Sequence, residues 1–231
     1  TGAKGLVRYP TFLGFVSIFV AVSVSFPLLW VPGFLLLGGS KTGAVMPKRA
    51  YASLYLSIPM AVFSYFAFAI DPNSYEWKVL TGLLGGPLLV LAPLLLWGME
   101  YKEGNVTPEQ VAQGAIASSR VYLVVSLVAL GFWVAIVRII YEAYGLDVTA
   151  MWNALWVNAD PCVKFLAVDA IGLFLGALLY IASVDPVDAV AALFLSPGLG
   201  PGAACGLMLW GHERVRTEKA MAIMNQQKKR N

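Results

Sequence analysis

The chain has 231 residues, of which 59% are hydrophobic and 13% charged, with a mean hydropathy of +0.73 and a formal charge of +3. A soluble domain carries about 25% charged residues, so this composition excludes an ordinary water-facing surface, and the apolar residues fall into runs of the roughly 20 needed to cross hydrocarbon. The positive excess does not mark a nucleic-acid binder, because six of the sixteen basic residues sit in the last eighteen positions, beside an apolar run, where anionic lipid and retention on the positive side account for them.

A first span is predicted over 11–37, with Pro27 and Pro32 interrupting its second half. Each proline removes a backbone hydrogen bond, so a kink or an early end is expected there. Span two runs over 51–70 and stops at Asp71-Pro72-Asn73, a strong breaker, and span three over 79–97 carries Gly85-Gly86-Pro87 and Pro93. Tyr75, Trp77 and Trp97 stand at span ends, where amphipathic rings favour the headgroup level.

The polar segment 100–113 contains Thr107-Pro108-Glu109-Gln110. Thr107 can accept from a first-turn amide, Pro108 suits the first helical position and Gln110 can reach back, which together predict a helix start. The fourth helix is therefore predicted to begin outside the lipid and to end at Tyr144 with Gly145 as its cap. Asn105-Val106-Thr107 matches the glycosylation sequon, but Pro108 directly after it argues against use. A short interfacial helix is expected between Asp147 and Pro161, with Trp152 and Trp156 on one face at i and i+4. Span five follows over 163–184 and is stopped by Asp185-Pro186. Span six is expected over 187–210, interrupted by the run from Ser196 to Gly202, and a polar tail ends in a solvated 226–231.

The expected fold is thus an all-α, polytopic integral membrane bundle of six transmembrane helices plus one interfacial helix. With six spans the termini share a side, and the basic residues from Arg214 to Arg230 place both on the positive (stromal or cytoplasmic) side. The opening Thr1 fits a processed organelle or secretory product, or a piece of a longer chain.

From Arg120 onward, Arg120-Val121-Tyr122-Leu123 opens a span and Tyr144-Gly145-Leu146-Asp147 follows it; Asn158 precedes Phe165-x-x-x-Asp169, and the chain leaves through Leu199-Gly200-Pro201-Gly202 and Trp210-x-x-Glu213-Arg214. These residues resemble a small three-helix membrane domain of no assigned reaction, widespread in bacteria and with plastid-type relatives. The resemblance covers 120–214 and implies a three-helix unit there, leaving 1–119 as a separate three-span region and 215–231 as a basic tail.

Asp169, about two turns into span five, is the strongest candidate for function, because an ionisable group at membrane depth is expensive. Its expected partner is Arg138, giving an intramembrane polar pair, although Arg138 also has Glu142 at i+4 and Asn158 is a further polar candidate for Asp169. His212 at the end of span six is the candidate pigment ligand, through a neutral nitrogen on a chlorophyll magnesium. As the lone histidine it rules out a multi-His metal site, and Cys162 and Cys205 are too few for a metal cluster or a disulfide framework. The Gly/Pro run around Gly200 lacks the strand and the lysine of a phosphate loop, so no nucleotide is expected; in a membrane it reads as a broken helix or a close-packing face. With no His-x-x-x-His, Gly-x-Ser-x-Gly or Cys-x-x-Cys, no enzyme is expected.

What remains is an aromatic-rich apolar chain, with seven Trp, ten Tyr and twelve Phe. It is expected to be a non-catalytic accessory subunit of a membrane complex, a photosystem–antenna assembly of the plastid thylakoid. Chlorophyll, carotenoid and lipids would be its small-molecule partners and neighbouring subunits its protein partners. The alternative is a small transporter using Asp169, Arg138 and the broken last helix.

Overall fold

A computed structural model of the chain describes residues 22–36, 45–55, 74–80 and 107–230. Among the described residues every regular element is helical and no strand occurs. We number the helices α1 (Val22–Ser25, Phe26–Trp30 and Val31–Leu36 in succession), α2 (47–55), α3 (Tyr75–Leu80), α4 (Pro108–Tyr144), α5 (Val148–Trp152, continued by Asn153–Val157), α6 (Pro161–Val184), α7 (Pro186–Leu199) and α8 (Pro201–Arg230). Most of the second and third expected spans, over 51–70 and 79–97, lies outside the described residues. Among the described residues, two helices are long and apolar enough to cross a membrane, Pro108–Tyr144 and Val163–Val184.

The chain divides into two compact units, one of Thr1–Gly43 with Tyr122–His212 and the other of Ala44–Val121 with Glu213–Asn231. In the second unit the start of α4 is fixed by its own sequence. Gln110 N donates to Thr107 Oγ1 at 3.3 Å while Thr107 N donates to Gln110 Oε1 at 3.0 Å, the reciprocal capping box that the spacing predicts. The first turns of α4 then bury small residues, Ala112, Ala115, Ala117, Ser118 and Ser119. Gly114 lies against the backbone of Val45, where a β-carbon would overlap its carbonyl. Arg120 Nη1 donates to the Tyr51 hydroxyl at 3.2 Å. The charged end of α8 is helical to Arg230, with Glu213 and Arg216 3.4 Å apart and Thr217 Oγ1 donating to Glu213 O.

In the first unit α1 passes both prolines without ending. Pro27 and Pro32 have no N–H to give, and between them the register widens so that Val31 N bonds to Phe26 O in a π-turn. The turn stacks Phe26, Trp30 and Phe34 at 5.3 and 5.4 Å and sets the last two against Tyr180 of α6. Gly176 admits the Phe26 ring, which a β-carbon would approach to 2.6 Å. After Gly145, at φ 62°, Asp147 caps α5 by accepting from Ala150 N at 2.9 Å. The Trp152 and Trp156 rings lie 5.8 Å apart, as their spacing predicts.

The expected sixth span is not one helix. Asp188 and His212 stand twelve residues before and twelve after Gly200, so a straight helix would hold them about 36 Å apart. Instead Asp188 Oδ2 and His212 Nε2 are 2.8 Å apart, and the chain therefore reverses at Gly200. At φ 84°, ψ 148° this residue occupies a region open essentially to glycine. The first arm is short: α7 has 14 residues, about 21 Å, against an ~30 Å hydrocarbon core. The arms share a core of Ala189 and Ala192 from α7, Ala204 and Cys205 from α8, and Ile181 from α6. On the other side of α8, Gly200, Gly202 and Gly206 meet Trp133, Ala129 and Ser126 of α4 in antiparallel order.

A helix reversal frees backbone carbonyls that the chain must satisfy itself wherever water is excluded. Trp133 Nε1 donates to Pro197 O at 3.2 Å, and Gly200 N donates to Ser196 O at 2.8 Å. Trp133→Phe keeps an aromatic ring, though a smaller one, and removes the first of these bonds. It should cost about 1 kcal/mol, read as an earlier midpoint in a denaturant titration of the detergent-solubilised chain, with helix content unchanged.

Candidate functional site

The open end of the α7–α8 hairpin gathers the polar groups. Asp185 is at once the end of α6 and the cap of α7: its N–H donates to Ile181 O at 2.8 Å, and its Oδ1 accepts from Val187 N at 2.8 Å. Pro186 fixes the first helical position after this extended corner. Asp188 lies in the first turn of α7, where a negative charge faces the positive end of the helix dipole. His212 arrives from α8, and one donor atom from each of the three side chains lies within 4.8 Å of the other two. All three residues are half-buried.

The contact between His212 and Asp188 is not an ordinary hydrogen bond. Nε2 is 2.8 Å from Oδ2 and screened from solvent, yet it finds no hydrogen-bond acceptor in suitable geometry. The ring axis at that nitrogen is therefore not taken by Asp188. Two carboxylates and an imidazole nitrogen, brought together from two helices and the corner before them, form a donor set of the kind that divalent cations use.

His212, the expected pigment ligand, thus points its Nε2 at protein carboxylates, and a pigment magnesium would have to be reached through Nδ1. Arg138 is engaged on its own helix, its Nε donating to Glu142 Oε1 at 2.7 Å, with the two side chains 78% and 59% exposed. At that exposure the pair contributes little to stability. Asp169 is half-buried on α6 and is itself engaged in a polar interaction. Sequence reasoning passed over Asp185 and Asp188, treating the first only as a helix stop. The available signal was their placement opposite His212 about the glycine break.

No protein-family model, curated protein or solved structure matches the chain.

Proposed function

We propose that this chain is an integral membrane protein serving as a non-catalytic accessory subunit of a larger membrane complex. The observation that supports this reading is the outer surface of α4. Beyond Tyr122, away from the face that Ser126, Ala129 and Trp133 turn towards the Gly200 turn and α8, its apolar residues are exposed, with Val124, Val125, Leu127 and Val137 between 41% and 58% accessible. A helix apolar all round belongs inside something. Only one face of this one is covered by its own fold, so lipid and neighbouring subunits are the natural cover for the rest. The exposed aromatics Phe132, Tyr141 and Trp152 add flat surfaces suited to lipid chains, carotenoid or chlorophyll rings. In its finer form the proposal places the chain in a photosystem–antenna assembly of the plastid thylakoid, scaffolding pigments and subunits with its termini on the stromal side.

Gentle detergent extraction from the native membrane, native gel separation and an absorption spectrum of the band containing the chain test the proposal. Migration with a large pigmented assembly is the expected result. A colourless band at the chain's own mass of 24.9 kDa, or a small multiple, would overturn it and favour a transporter that uses Asp169, Arg138 and the helix reversal at Gly200.

A further inference from the structure

We propose that Asp185, Asp188 and His212 bind one divalent transition-metal cation per chain, of the zinc or manganese class, which clamps the start of α7 to α8. The inference concerns the chain alone and does not rest on the accessory-subunit reading.

The geometry carries it. The donors come from the α6–α7 corner, the first turn of α7 and α8, so the fold itself brings Asp188 and His212 together across 23 residues of intervening chain. Around a metal with bonds of about 2.0–2.2 Å, neighbouring ligand atoms stand roughly 3–3.5 Å apart. The separation of His212 Nε2 from Asp188 Oδ2, 2.8 Å, is of this size, and the third donor atom is within 4.8 Å, a rotamer adjustment away. His212 Nε2 is shielded from water and makes no hydrogen bond, leaving its lone-pair direction for a ligand. Asp185 can coordinate while it caps α7, because the cap uses Oδ1 and leaves Oδ2. Two carboxylates set this close repel each other. A dication between them removes that repulsion and leaves the site neutral overall. The mixed oxygen and nitrogen set favours zinc or manganese over magnesium or calcium, which prefer oxygen alone.

The full chain, purified in detergent micelles and stripped with a chelator, would be titrated with Zn2+ and, by electron paramagnetic resonance, with Mn2+. Bound metal would be counted by elemental analysis and the melting temperature followed. The expected result is one saturable Zn2+ per chain, competition between the two metals, and a higher melting temperature with Zn2+ than without. Asp185→Asn preserves the cap, since an asparagine oxygen also accepts from Val187 N, so a fold defect cannot stand in for a binding defect. It should weaken Zn2+ by at least the roughly 10–100-fold that even an outer-shell change produces, and His212→Gln should do the same. The absence of saturable binding in the native sequence would overturn the proposal and leave His212 and Asp188 as a bare side-chain contact. Binding that survives both substitutions would overturn it equally, by placing the metal elsewhere.

Discussion

Gly200→Ala is expected to destabilise the protein by about 2–6 kcal/mol, a large part of the 5–15 kcal/mol typical of a folded domain. Two separate costs add. An L residue at φ 84°, ψ 148° carries strain of about 1–3 kcal/mol. A β-carbon there would also come within 2.6–2.9 Å of three carbons of Trp133, and overpacking of that kind costs about 1–3 kcal/mol. The ring cannot simply withdraw, because its Nε1 donates to Pro197 O. Gly198 is the internal control. It lies within α7, and a β-carbon there meets nothing within 4 Å, so Gly198→Ala should be neutral or stabilising by up to about 1 kcal/mol. Unfolding titrations of the two variants in the same mixed micelles check the contrast. If both behaved alike, the chain would not reverse at Gly200, and the pairing of Asp188 with His212 would have to arise in another way.

That reversal also marks where the sequence stops being legible. The bounds of α4 could be read directly because both ends are set by nearby residues: Thr107, Pro108 and Gln110 at one end, Gly145 at the other. The Trp152–Trp156 face and the Asp185-Pro186 stop were equally local. Residues 187–210 were read as one span because two short apolar arms back to back have the length and hydropathy of a single crossing. Composition cannot separate the two cases. The sign of φ at Gly200 can, and it is set by tertiary contacts with Trp133 that no window of residues 187–210 contains. The cluster at the open end was missed for the same reason, since the twelve-residue symmetry of Asp188 and His212 has meaning only once the turn is known. The helical end of α8 was underread for a different reason. Its residues 213–230 carry no sustained apolar stripe, and the pairs Glu213–Arg216 and Arg214–Glu218 are worth only a few tenths of a kcal/mol each.

Gly206→Ala should cost about 1–3 kcal/mol, and removing one oxygen from the facing helix should restore part of it. Gly202 and Gly206 form a small-xxx-small face that brings α8 close to α4, the packing that apolar surroundings favour because close backbone approach replaces the hydrophobic drive. At Gly202 a β-carbon would meet Ala129 Cβ at 3.3 Å, a tight but bearable contact, whereas at Gly206 it would overlap Ser126 Oγ. Ser126 is 1% exposed, and its hydroxyl donates to Tyr122 O at 2.6 Å, so the side chain has neither space nor freedom to turn away. Ser126→Ala alone removes one local bond and should cost under about 1 kcal/mol. Combined with Gly206→Ala it leaves Cβ of residue 126 as the nearest side-chain neighbour, at 3.3 Å, the same clearance found at Gly202. The double variant should therefore be more stable than the sum of the singles predicts, by about 1 kcal/mol or more in a double-mutant cycle. Gly211→Ala, with open space around its β-carbon, should show no coupling to Ser126. Zero coupling at Gly206 would mean that α4 and α8 do not meet there. α8 would then be held only through the core that Ala204 and Cys205 share with α6 and α7.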